Sequence, residues 1–206
     1  MAYLLLSASA LHMSPFGSIP NVSGSLGTTN PSYTFLASFL GWNYSQPSGS
    51  NPTISSANVF PGRNLNATAY SVDNQKHDLA YYQPGTTPNQ VSPLDTCGPG
   101  NLCLAHVFVP NNGTRVTLQF AFPSAQTFEL YCTYHAFDMH AKVFVNRSPD
   151  INGDHTVNII DLATVGIAFG STPSSSKWNP SADLNRDNAT NIIDLVIVAV
   201  YFGQTV

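Results

Sequence analysis

Phe128-Glu-Leu-Tyr-Cys-Thr-Tyr-His-Ala-Phe-Asp-Met-His-Ala-Lys-Val-Phe-Val145 reads as strand, loop, strand. The flanking runs 128–131 and 141–145 have the short, aromatic and β-branched character of strands. Between them Cys132, His135 and Met139 stand in a Cys-x2-His-x3-Met spacing. A loop this short between two strands brings a thiolate, an imidazole and a thioether around one ion. A soft thiolate with two imidazoles and a weak axial thioether is a copper ligand set. One imidazole is missing from the loop and has to come from upstream. His77 is the candidate, in Asp73-Asn-Gln-Lys-His-Asp-Leu-Ala-Tyr-Tyr82, where a turn feeds an apolar strand. Cys103 and His106 form a rival Cys–His pair, and His140 is a rival imidazole.

Outward from this loop, the pattern is β from residue 33 to residue 145. Runs at 33–39, 65–70 and 115–120 alternate apolar and polar positions. Pro61-Gly62, Pro84-Gly85 and Asn111-Asn-Gly113 punctuate them as turns. Strand runs at such spacing predict a sandwich or barrel. Residues 1–30 open apolar and turn rich in Gly, Ser, Thr and Asn, as an N-terminal extension or an edge strand would. Its first ten residues fit a trimmed export signal as well as a first strand.

Residues 31–146 resemble the cupredoxin family, on the Cys-x2-His-x3-Met loop and on the upstream His77 ahead of an apolar strand. The resemblance implies a Greek-key β-sandwich with one type 1 copper held by His77, Cys132, His135 and Met139. It implies one-electron transfer to a redox partner protein. Cys132 would then be the coupling path, His135 the exposed edge and Met139 the tuning ligand. His77 would give its second ring nitrogen to a carbonyl or a water. A His-Cys-His motif of multicopper oxidases is absent and nothing suggests hydrolysis, so the expectation is a carrier and not an enzyme.

After residue 150 the character changes to an internal repeat of period 33. Residues 150–173 and 183–206 share 12 identities in 24 positions, including Asn-Ile-Ile-Asp-Leu at 158–162 and 191–195. Each copy sets oxygen side chains at positions 1, 3, 5, 9 and 12 of a loop: Asp150, Asn152, Asp154, Asn158 and Asp161, then Asp183, Asn185, Asp187, Asn191 and Asp194. Position 7 supplies a carbonyl, from Thr156 and Ala189. This is the spacing of a twelve-residue calcium loop. Position 6, where the chain turns through positive φ, holds His155 and Asn188, residue types that tolerate it. Short apolar segments at 162–169 and 195–202 follow the loops as helices, each needing the other copy to cover its face.

The span 150–206 resembles the dockerin family, on Asp-x-Asn-Gly-Asp-x-x-Val-Asn-Ile-x-Asp-Leu at 150–162. The second copy departs at Arg186, where the family often has Gly. The resemblance implies a small α domain with two bound calcium ions and a cohesin-like or self-assembly partner. In the family, positions 10 and 11 meet that partner; here they are Ile159, Ile160, Ile192 and Ile193. The linker 146–149 is so short that these isoleucines are expected to pack inside the module or on the first domain.

The 206 residues are 43% hydrophobic and only 9% charged, with net charge −4. Seven scattered Lys and Arg exclude phosphate-backbone binding as a main role, and no apolar run reaches the length of a membrane span. Six Asn-x-Ser/Thr acceptors, at Asn21, Asn43, Asn66, Asn112, Asn146 and Asn188, favour an extracellular or cell-surface glycoprotein. Cys97 and Cys103 flank Gly98-Pro99-Gly100, a turn that pairs them as a disulfide in an oxidising compartment and leaves Cys132 alone. The functional expectation is electron transfer, with the calcium module as an anchor or assembly piece. The alternative is a structural subunit of a surface layer or filament whose metals stabilise the fold.

Overall fold

The computed structural model describes residues 30–38, 41–42, 53–55 and 59–206. The expectations for residues 1–29, and the acceptors Asn21 and Asn43, lie outside them. Among the described residues nine strands run in chain order: β1 (Ser32–Ser38), β2 (Gly41–Trp42), β3 (Thr53–Ser55), β4 (Asn64–Ser71), β5 (His77–Tyr82), β6 (Cys103–Val109), β7 (Val116–Ala121), β8 (Thr127–Tyr131) and β9 (His140–Phe144). They form two sheets, ordered β2-β1-β4-β7 and β3-β9-β8-β5-β6. The pairs β1–β4 and β3–β9 are parallel and the rest antiparallel. The molecule is mainly β, as the strand spacing predicts.

Burial follows the pleat where one face meets solvent. Along β4, Leu65, Ala67, Ala69 and Ser71 are buried and their neighbours are not. The inner faces meet over a run of aromatic rings: Tyr81 and Phe122 lie 5.0 Å apart, Phe122 and Phe128 4.7 Å. Each such ring contributes about 1.5–3 kcal/mol by leaving water.

Strand β5 departs from alternation, for all six of its residues are buried. Leu79 and Tyr81 face the main core, while Ala80 and Tyr82 join a second cluster with Cys103, Tyr131 and Ala136. The long connection from β5 to β6 covers that outer face. Tyr82 Oη donates to Asp95 at 2.7 Å, Tyr131 Oη donates to the Thr86 carbonyl at 2.7 Å, and Cys97 is bonded to Cys103. Strand β6 lies at the sheet edge with mixed burial, which is why its sequence does not announce a strand.

The repeat forms two helices, α1 (Ile159–Ala168) and α2 (Ile192–Tyr201). Both start three residues before the apolar segments, because positions 9 and 12 of each loop form a capping box. Asn158 Oδ1 accepts from Ile160 N and Asp161 Oδ2 from Asn158 N, both at 2.8 Å; Asn191 and Asp194 repeat this at 2.8 Å. Each cap is worth about 1 kcal/mol. The copies then close on each other. Gly170 N donates to Thr190 O at 2.8 Å and Gly203 N to Val157 O at 2.7 Å, while Val165, Ala168, Ile197, Val198 and Tyr201 share one core.

Phe60 of the sandwich joins that core, edge-on to Tyr201 at 5.1 Å, and Arg147 N donates to Leu184 O at 2.8 Å. The isoleucines behave otherwise than expected. Ile159 and Ile192 are 63% and 62% exposed, and Ile160 and Ile193 are exposed beside them. The reason is the early helix start, which places positions 10 and 11 on the first turn, facing away from the helix pair.

Candidate metal centres

Pairing of β5 with β8, with Ala80 opposite Tyr131, carries His77 to the end of the sheet where β8 runs out into Cys132. The next eight residues are tied back on themselves. Cys132 N donates to Met139 O at 2.9 Å, His135 N to Cys132 O at 3.1 Å and Met139 N to His135 O at 2.8 Å. The spacing of the motif is therefore the spacing of a closed turn. Cys132 Sγ lies 3.7 Å from His77 Nδ1 and 3.5 Å from His135 Nδ1. One donor atom from each of these three residues lies within 4.8 Å of the others; among the described residues no other group of three His, Cys, Asp or Glu does so. Met139 is fully buried in the same apolar cluster as Cys132.

His77 and Cys132 are buried and His135 is half-buried, so the cluster opens to solvent on the His135 side. Burial pushes the Cys132 thiol up to about 11, against the pull of backbone N–H groups, and burial also holds His135 below the usual imidazole range. The three side chains offer two ring nitrogens and one sulfur, a soft set that fits copper. The ion must displace the thiol proton to bind.

Two carboxylates outside the Cys132–Met139 turn flank the cluster, and the sequence marks neither as part of it; a third, Asp138, lies inside the turn and acts on His135 through its charge. Asp73 Oδ1 lies 2.9 Å from His77 Nε2, taking the place expected of a carbonyl or water. Asp78 gives its backbone N–H to Cys132 Sγ at 3.4 Å. Its carboxylate accepts from Thr133 Oγ1 at 3.0 Å and meets His106 Nδ1 at 3.1 Å. Burial raises Asp78 above the usual carboxylate range, with His106 pulling the other way. His106 thus belongs to Asp78, and its rival partner Cys103 is bonded to Cys97. His140 stands outside the cluster, stacked on Tyr131 at 5.4 Å. Phe108, Tyr134 and Phe137 are exposed apolar rings, Tyr134 next to His135 in the chain and Phe137 two residues on.

In the first calcium-type loop, Asp150 Oδ1 accepts from Gly153 N at 2.9 Å and Oδ2 from His155 N at 2.9 Å. Asp154 Oδ2 accepts from Asn152 Nδ2 at 2.8 Å and Asn158 Nδ2 at 3.2 Å. These bonds, the Asn152 amide first, hold Asp154 below the usual carboxylate range. Asp161 Oδ1 accepts from Ile151 N at 2.7 Å. The second loop repeats the pattern on Asp183, Asn185, Asp187, Asn191 and Asp194. Carbonyls of Thr156 and Ala189 lie in each ring, within 3.0 and 3.3 Å of an Asn amide. All donors are hard oxygens, which fit calcium. Position 6 turns left-handed as expected, with φ 67° at both His155 and Asn188; position 4 does too, at Gly153 (75°) and Arg186 (59°).

The loops differ in surroundings. Asp150 is half-buried, whereas Asp183 is buried and raised above the usual carboxylate range by that burial. Arg147 donates to the Asp183 carbonyl and approaches its Oδ2 at 3.6 Å. The Arg186 guanidinium lies 4.1 Å over the Phe144 ring and donates to Thr127 Oγ1 at 3.4 Å. The second loop therefore touches the far ends of β8 and β9, the strands that carry the Cys132 loop.

Of the glycan acceptors within the described residues, Asn112 and Asn188 are exposed and Asn66 is half-buried, its amide oxygen accepting from Gln119. Asn146 is corrected: it is 3% exposed and its backbone is tied to Val59, which leaves no room for a glycan.

Residues 148–203 match the dockerin type I domain family. No curated protein matches the chain. Among solved structures, auracyanin A, a "blue" copper protein from the green thermophilic photosynthetic bacterium Chloroflexus aurantiacus, is 18% identical. The match covers 57% of this chain and 100% of that one, with a TM-score of 0.41. Auracyanin from Roseiflexus castenholzii is 18% identical over 60% of this chain and 98% of that one, TM-score 0.42. Rusticyanin from Thiobacillus ferrooxidans is 20% identical over 58% and 79%, TM-score 0.40. Among the described residues no helix is long and apolar enough to cross a membrane.

Proposed function

We propose that the protein is an extracellular one-electron carrier, with a type 1 copper site in the sandwich and a calcium-braced module that docks on a cohesin-type partner. The observation that carries the copper reading is the convergence of Cys132 Sγ with the Nδ1 atoms of His77 and His135 at 3.5–3.7 Å. Bound copper would supply reversible one-electron redox chemistry. His77, Cys132 and His135 would hold it, and buried Met139 is proposed as a further, weak ligand. The chain's own part is to hold those ligands still: β5 fixes His77, the backbone-tied turn fixes Cys132 and His135, and the apolar core keeps water from the sulfur. His135 is the ligand nearest solvent, and the exposed rings of Tyr134 and Phe137 frame it for a redox partner. Two calcium ions are proposed in the loops that begin at Asp150 and Asp183, and the exposed isoleucines of α1 and α2 support docking through that module. The Cys97–Cys103 bond supports an oxidising compartment.

Metal analysis and spectroscopy test this together. The expected result is one copper and two calcium per chain, with an intense visible band on adding Cu(II) that is bleached and restored by a reductant and an oxidant. A protein that takes zinc and refuses copper refutes the redox reading and leaves a calcium-braced β scaffold.

A further inference from the structure

The contact between Asp73 and His77 says more about the site than the ligands alone. We propose that Asp73 is a positioning residue for the metal centre: its carboxylate fixes the tautomer of His77 and biases the bound ion toward its oxidised state. This rests on the copper reading above. Asp73 sits in the connection between β4 and β5, its side chain only 12% exposed. One oxygen, Oδ1, accepts from Ser71 Oγ at 3.1 Å and Gln75 N at 3.0 Å, so the turn itself aims the carboxylate. The same oxygen meets His77 Nε2 at 2.9 Å. An ionised carboxylate only accepts hydrogen bonds, so Nε2 carries the proton and Nδ1 presents its lone pair. Nδ1 is the atom 3.7 Å from Cys132 Sγ. A carboxylate behind a ligating imidazole raises its basicity, and fixed negative charge favours the more positive ion. The nearby Asp78 does not share this role, because its carboxylate is taken up by Thr133 and His106. Asp73 is the acid hydrogen-bonded to the His77 ring, while Asp138 acts on the His135 ring through its charge.

Two measurements test this. Long-range proton–nitrogen NMR of the metal-free full chain reads the tautomer without any metal: His77 protonated on Nε2 is expected, and protonation on Nδ1 overturns the proposal. Asp73→Asn keeps an acceptor oxygen for the ring but loses the charge. With copper bound, the visible band is expected to persist, while the Cu(II)/Cu(I) equilibrium shifts at least tenfold toward Cu(I), a rise of about 59 mV for a one-electron couple. A variant potential within twofold of the wild-type equilibrium means a purely structural role and overturns the proposal, with the copper reading intact. A wild-type chain that shows no visible band with Cu(II) overturns the copper reading and the redox part of this inference with it. The NMR result is read independently of that outcome.

Discussion

Arg186 stands where the first copy has Gly153, in the same left-handed conformation, with φ of 59° against 75°. A non-glycine residue there costs roughly 1–2 kcal/mol. The side chain offsets that cost by reaching the sandwich. Its guanidinium lies 4.1 Å over Phe144 and donates to Thr127 at 3.4 Å. A cation–π contact of a half-buried Arg is worth about 1 kcal/mol, and the long hydrogen bond about 0.5 kcal/mol. Arg186→Ala loses the contact and keeps the strain, so it should destabilise the joined protein by about 1.5 kcal/mol by the same sum. Arg186→Gly loses the contact and sheds the strain, so it should come within about 0.5 kcal/mol of wild type. The assay is urea unfolding in saturating calcium, followed by far-ultraviolet circular dichroism, since the described α-helices all lie in the C-terminal module. Wild type and Gly close together, with Ala below both, is the diagnostic. An Ala variant as stable as wild type, or a Gly variant weaker than Ala, refutes the balance of strain against contact.

Burial of Cys132 makes metal-free stability depend on pH. Its thiol is raised from 9.0 to about 11 in the folded chain, so the folded state keeps a proton that the unfolded state loses. The contribution is complete below about pH 9 and vanishes as pH rises through about 11, a fall of roughly 3 kcal/mol for a shift of this size. Denaturation of wild type and Cys132→Ala at both ends of that window measures it; parallel pH dependence of the two proteins would contradict the burial argument. Asp154→Ala and Asp187→Ala should each lower calcium stoichiometry from two to one by isothermal titration calorimetry. A chelator should lower the melting temperature of wild type, because ligand at a hundredfold its Kd adds about 2.7 kcal/mol per site.

Features that close within a few residues were open to reading from sequence. The turn from Cys132 to Met139 is local, and so is the pairing of Cys97 with Cys103 across Gly98-Pro99-Gly100. The calcium-type loops are local too, and their period of 33 repeats the signal. Burial alternation showed β4 plainly, because one of its faces meets solvent. It hid the true character of β5, whose outer face is covered by the connection to β6, and it hid β6 at the sheet edge. The isoleucines misled for a related reason. Apolar character suggests burial, but the capping boxes of Asn158 and Asn191 rotate positions 10 and 11 outward.

The sequence by itself determined what the chain is made of: strands, turns, two oxygen-lined loops and a short run holding sulfur and imidazole. Hydrogen-bond geometry and side-chain period act over a handful of residues, so those elements carry their own signals. Only the tertiary structure decided that His77 reaches Cys132 across 55 positions of chain, that Asp73 backs its ring, and that Arg186 seats the second loop on Phe144. Such encounters depend on strand register and on which faces meet, and register is set by the packing of the whole core.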